Sequence, residues 1–221
     1  MHHDIWIWLP TFGLPLHTAL MIYVMLFILG VSLYVRKSLK LIPGRLQSVF
    51  ELVIEMFVQL GSEVMGPKGK PFVPWIVTFF LFILVSNALG MIPGLAPPTM
   101  NLNTTFGLAI IVFVLTHVIG LREHGIGYIK HFMGPNIWIA PIMFPIEIVS
   151  HVARPVSLSM RLFGNMMGHE VLVGVLVGMM PISILLYGFS AVLGILVVVI
   201  QAYIFALLSM AYLGGALDEA H

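Results

Sequence analysis

The chain of 221 residues contains no cysteine. That excludes a disulfide framework and any thiolate site, metal-binding or redox. Charge is scarce too. Asp, Glu, Lys and Arg make up 9% of residues, with a formal net charge of +1, against roughly 25% charged residues in an ordinary soluble domain. No basic patch points to nucleic acid. Internal repeats, low-complexity segments and a soluble domain are all missing. Met1-His2-His3-Asp4 lacks both a basic segment and a cleavage site, so no removable signal peptide is expected. What is present is apolar: 60% of residues are hydrophobic. A membrane-spanning helix needs about 20 such residues in a row, and several stretches supply them.

Leu16 to Val35 is the first expected span, ending at Arg36-Lys37-Ser38-Leu39-Lys40. From Arg45 to Met65 the polar residues Ser48, Glu51, Glu55, Gln59 and Ser62 fall three or four apart among apolar neighbours. That spacing predicts an amphipathic helix, lying at the interface or packed beside other spans. Gly66 to Pro71 is a loop by its breakers and charges. Phe72 to Ile92 and Thr104 to Leu121 are further spans, separated by an uncharged Pro97-Pro98 loop. Ile137 to Met180 is apolar but too long for one crossing, and Pro141, Pro145 and Pro155 interrupt it. Pro181 closes it, and Ile182 to Leu217 is the last apolar helix. All 221 residues are expected to form one integral membrane domain.

Basic loops set the orientation. Of the ten Lys and Arg residues, six lie from Arg36 to Lys70, and Arg122 and Lys130 follow the third span. The Pro97-Pro98 loop has none. These counts predict an external N-terminus, with the Arg36–Lys70 segment, the Arg122–Lys130 turn and the C-terminus in the cytoplasm.

The last two basic residues, Arg154 and Arg161, lie inside the long apolar run. No acidic residue occurs within eight positions of Arg161. A guanidinium keeps its proton in a protein, and at membrane depth it needs a reason and a partner. At alternating three- and four-residue steps stand Glu147, Ser150, Arg154, Ser157, Arg161, Gly164 and Gly168, all polar or small. They share one helix face. A helix–helix seam explains the two glycines but not Glu147 or Arg161. Arg154 has the plainer reading of an interfacial side chain that snorkels. Asn165 and His169 flank the stripe and Glu170 adjoins it. His169-Glu170 is no zinc motif, because Val173 stands where the second histidine belongs. His117 reads as a packed polar residue and His151 as ambiguous. Gln201, the only strongly polar residue in the middle of the last helix, is expected to face protein or an aqueous cavity opposite Arg161. No metal site or cofactor is expected.

Pro155-Val-Ser-Leu-Ser-Met-Arg161-Leu-Phe-Gly-Asn165-Met, followed by Glu170, resembles the signature of subunit a of the rotary F-type ATP synthase. Gln201-Ala-Tyr-Ile-Phe205 and Ser86-Asn87-Ala-Leu-Gly-Met-Ile-Pro93 are similar to two further motifs of that family, in the same order. The resemblance implies an all-α polytopic membrane protein of the bacterial plasma membrane. It would have five membrane-crossing helices plus one amphipathic helix, the last two forming a long tilted hairpin. It also implies a non-catalytic stator subunit set against a ring of c subunits, with subunit b of the peripheral stalk and membrane lipid as further partners. A mid-membrane carboxylate on each c subunit would then be the partner of Arg161. Asn165, His169, Glu170 and Gln201 match positions of an outer aqueous half-channel, and Glu147 and Ser150 match a cytoplasmic one. Protons are the expected coupling ion; sodium is the alternative, decided mainly in the ring. Gly90 stands where some members carry an acidic residue. Gly194 stands where some carry a histidine, which leaves His169 on the facing helix as the candidate substitute. The rival readings are a secondary transporter with intramembrane charges, for which no inverted repeat is seen, and an intramembrane enzyme, for which no nucleophile motif or paired histidine ligands are seen.

Overall fold

The computed structural model describes residues 13–92, 95–125, 127–128, 140–178 and 184–218. The expectations for Met1–Asp4, Pro93, Lys130, His131, Pro181 and residues 219–221, and for the outermost turns of the last two spans, lie outside them.

The described residues form six α-helices: α1 (Leu16–Lys37), α2 (Arg45–Val64), α3 (Val73–Leu89), α4 (Leu102–His124), α5 (Ala140–Gly178) and α6 (Ile184–Asp218). Their ends follow local chemistry. Arg36 and Lys37 occupy the last turn of α1, where cations complement the helix dipole, and the Ser38 hydroxyl donates to the Tyr34 carbonyl (2.9 Å). Asn101 caps α4, its Oδ1 accepting from the Asn103 amide (2.9 Å). Gly125 ends α4 with φ 56°, a conformation that favours glycine.

α3 is apolar all round and is buried accordingly, with Ile76 and Ile83 fully closed off. α6 runs along it. Ala202 and Ala206 are completely buried, and such small residues let helix backbones approach. Phe205 meets Phe79 edge-on at 6.2 Å. α2 uses one face: Phe57 is fully buried, 4.8 Å from the Phe80 ring, while Ser48, Glu51, Glu55, Gln59 and Ser62 are exposed. The helix packs beside others through Phe57, while its Leu46, Val49 and Leu52 are exposed. α1 is largely exposed and packs on α3. On the other side, α4 packs against α5 and α6 through residues including Ala109, Val112, Leu158 and Leu162.

Pro145 and Pro155 both lie within α5, which continues as one helix of 39 residues, in keeping with the single helical stripe read from Glu147 to Gly168. Each proline removes one backbone hydrogen bond, and the packing of buried Leu158, Leu162 and Pro155 itself holds the helix through that point. The Pro97-Pro98 loop packs inward. Thr99 is fully buried, and its hydroxyl donates to Asn87 Oδ1 (2.6 Å).

By length and composition four helical segments can cross a membrane: Leu16–Lys37, Pro67–Leu89, Leu102–His124 and Gly188–Leu217. α5, which carries Glu147, Arg154, Arg161 and Glu170, is not in that set.

Candidate functional site

α5 and α6 are antiparallel, and three cross-helix contacts define their register. Arg154 lies over the Tyr212 ring, 5.4 Å from its centroid, a cation–π geometry. Asn165 Nδ2 donates to Gln201 Oε1 at 2.7 Å. Further along, His169 fills the space beside Gly194: a β-carbon there would lie 2.6 Å from His169 Nε2 and 3.0 Å from Met91 Sδ. The missing side chain at Gly194 is what admits the imidazole. His169 thus reaches the surface of α6 at the position singled out from the sequence, and its buried Nε2 has no hydrogen-bond partner among the described residues.

Arg161 sits between these contacts. It is exposed and makes no hydrogen bond or ion pair with any described residue. Gly164 and Gly168, one and two turns on, are exposed, and a β-carbon at either would meet nothing within 4 Å. A seam within this chain therefore does not account for them. The same face carries exposed Met160, Met167 and Val171, and α6 adds exposed Leu196, Val199 and Ile200. The result is an apolar surface bearing one mid-helix cation.

The sequence-derived residues separate into two groups on either side of Arg161. Asn165, Gln201, His169 and Glu170 lie beyond it, with Asn165 and Gln201 bonded and Glu170 half-buried. Gln201 is 4% exposed. Contrary to expectation it meets Asn165, one turn past Arg161, because the helix register sets it there and Arg161 projects from the open face. Glu147 and Ser150 lie the other way, 14 and 11 residues before Arg161, or about 21 and 16 Å along the helix. Ser150 is exposed; Glu147 contacts His151, with 3.2 Å between Oε1 and Nε2. This second group shares an end of the molecule with Arg122 and with the Lys68–Glu123 ion pair, which joins the turn before α3 to the end of α4. That pair is exposed and contributes little stability.

The sequence of α5 matches these positions to a known pattern. Residues 18–214 match the family model described as ATP synthase A chain. The chain belongs to this family. It is 48% identical to "ATP synthase subunit a 1" of Syntrophotalea carbinolica over 213 residues, covering 96% of this chain and 90% of that protein. It is 50% identical to "ATP synthase subunit a" of Geobacter sulfurreducens over 194 residues, covering 88% and 84%. The protein of that name from Geotalea daltonii is 49% identical, with the same coverage. With its apolar helices, family membership makes this a multi-pass bacterial membrane protein, and the secondary-transporter and enzyme readings lapse.

Two features escaped sequence reasoning. The Asn87–Thr99 bond joins residues 12 apart across a proline turn; the only signal was the Ser86-Asn87 motif. The second is the contact between His117 and His151, whose rings lie 5.3 Å apart. Neither residue's sequence neighbourhood reveals the other.

Proposed function

We propose that this chain is the ion-translocating stator subunit of an F-type ATP synthase, carrying no catalytic site of its own. It forms two aqueous half-channels against a ring of c subunits and couples ion flow, by default of protons, to ring rotation. The observation that carries this reading is the bare, apolar face of α5 around an exposed Arg161 that has no partner among the described residues. In hydrocarbon such a cation requires an opposite charge or water, and the family pattern supplies one: a c-subunit carboxylate arriving at mid-membrane.

The electrostatics then follow. A carboxylate about 4 Å from the guanidinium, at an effective dielectric constant near 20, gains about 4 kcal/mol. That is roughly a thousandfold bias toward its ionised form. The arriving site gives up its ion beside Arg161 and takes up another on leaving. The fixed cation also repels any ion attempting to pass directly between the half-channels. Asn165, Gln201, His169 and Glu170 line the outer half-channel; Glu147 and Ser150 line the cytoplasmic one. The membrane potential supplies about 2.3 kcal/mol per charge per 100 mV.

The full architecture belongs to this proposal: residues 1–221 as one membrane domain with five crossings, the N-terminus outside and the C-terminus in the cytoplasm. The lengths of α5 and α6, 39 and 35 residues, support a tilted hairpin. They come to about 58 and 52 Å, well beyond the ~30 Å hydrocarbon core, so they remain in the bilayer only at a steep angle. The ring, subunit b and lipid are the proposed neighbours.

The test is Arg161→Ala in the assembled complex. It is expected to abolish ATP-driven ion pumping and ATP synthesis while the complex still assembles. Arg161→Lys is expected to fail too, since a lysine can deprotonate when desolvated and lacks the planar fork. Near-normal pumping by Arg161→Ala would overturn the reading.

A further inference from the structure

His117 and His151 are absent from the set above, yet they meet inside the molecule. His151, on α5, is 3% exposed. The His117 ring, from α4, stands 5.3 Å from it at 71°. Glu147, one turn before His151, places a carboxylate oxygen 3.2 Å from His151 Nε2. Beyond His117, the Tyr128 ring lies edge-on at 5.9 Å and is 3% exposed. Tyr128 follows the end of α4, near Arg122. Glu147, His151, His117 and Tyr128 therefore form a continuous series from the α5 face, through the α4–α5 seam, to the basic end of the molecule.

We propose that His151 and His117 are a proton relay between Glu147 and the basic end of the molecule, running through the α4–α5 seam. This rests on the reading of Glu147 as part of the cytoplasmic half-channel. It adds a route leading away from the ring face.

The chemistry suits the residues. Imidazole can accept a proton at one nitrogen and donate from the other. His117 Nδ1 lies 2.8 Å from the Phe113 carbonyl. A carbonyl only accepts, so Nδ1 carries the hydrogen, and in the neutral ring Nε2 keeps its lone pair. A proton leaving the Glu147 carboxyl binds His151 Nε2 and leaves a carboxylate. The imidazolium then passes its Nδ1 proton to the Nε2 lone pair of His117, which leaves His151 neutral with hydrogen on Nε2. Because His117 Nδ1 stays on the Phe113 carbonyl, His117 releases that proton from the same Nε2 toward the Tyr128 side, and the His151 ring turns back to its starting tautomer before the next transfer. The small cavity of about 10 Å³ bordered by His117, His151, Arg154 and Tyr212 has an apolar lining and holds no water-binding group, so the transfer is between the rings themselves.

The charged and titratable groups facing the pair come from three helices and the turn after α4. They are Glu147 and Arg154 from α5, Tyr212 from α6, and Tyr128, with His117 itself on α4. Arg154 rests on the Tyr212 ring. Two charged rings at this separation beside Arg154 would repel each other. A purely structural role would be met more cheaply by apolar side chains, since ionisable groups in hydrocarbon are costly.

The test uses the assembled complex in membrane vesicles with two variants, either of which decides alone. His151→Gln keeps a polar side chain of similar reach beside Glu147. His117→Asn keeps a donor for the Phe113 carbonyl. Neither titrates. Each is expected to assemble and hydrolyse ATP, while ATP-driven proton pumping falls at least about tenfold and its pH dependence between about pH 6 and 8 changes shape, in the range where imidazole titrates. The double variant should fall no further, because the two act in series. Wild-type pumping with a wild-type pH profile in either assembled variant would overturn the relay. Arg161→Ala, run in the same vesicles, separates the two ideas. If it abolishes pumping while the histidine variants behave as wild type, only the relay is lost; if it pumps normally, the underlying reading is lost.

Discussion

The Asn165–Gln201 hydrogen bond makes an unequal pair of mutants. The bond is 2.7 Å long and joins an exposed donor residue on α5 to an acceptor residue that is 4% exposed on α6. Interhelical hydrogen bonds in membrane proteins average about 0.6 kcal/mol and reach about 2 kcal/mol. The short distance and the buried acceptor place this one near the upper end, at about 1–2 kcal/mol. Gln201→Leu removes the acceptor at similar volume, and the freed Asn165 amide remains accessible, so the loss should stay within that figure. Asn165→Leu instead strands the Gln201 carbonyl in a nearly closed site, adding about 1–3 kcal/mol of desolvation. Asn165→Leu is therefore expected to destabilise more, and the double variant to recover part of the loss. The assay is SDS-induced unfolding of the purified chain in mixed micelles, followed by far-UV circular dichroism, at all four corners of the cycle. The reasoning fails if Gln201→Leu costs as much as Asn165→Leu, or if the two losses add to within about 0.3 kcal/mol.

Gly194→Ala would bring a β-carbon 2.6 Å from His169 Nε2 and 3.0 Å from Met91 Sδ. Because both are ends of side chains, a cost of about 1–3 kcal/mol is expected, with slower pumping; in a His169→Ala background most of that cost should vanish, as unfolding in mixed micelles can measure. Glu170→Gln and His169→Ala should each slow proton flux through the membrane sector, and both less than Arg161→Ala, since a water chain can bypass a relay group but not a fixed cation; wild-type flux and coupling in both would remove the outer half-channel assignment. Topology can be read with single cysteines, because the chain has none of its own. Thr99 is buried and unsuitable, so Asn103→Cys, at an exposed position, is expected to react with an impermeant thiol reagent added to intact cells, while Lys68→Cys is not; the reverse pattern overturns the orientation.

Much of this protein is legible in its sequence because the bilayer is a severe solvent. It requires long apolar helices and makes each intramembrane charge conspicuous. α1, α3, α4 and the amphipathic α2 could all be read that way, and so could the stripe from Glu147 to Gly168 and its isolated Arg161. These signals are local: each lies within about 20 residues of one helix. Contacts between helices have no such signal. Only the tertiary structure set Gln201 against Asn165 rather than Arg161, because the register of two packed helices depends on side-chain fit along their whole length. Only the fold showed that His169 fits because Gly194 has no side chain, and that Thr99 turns inward to Asn87. The His117–His151 contact is the plainest case, joining residues 34 apart. The two meet because α4 and α5 are antiparallel, and no local pattern encodes which faces of two such helices will touch.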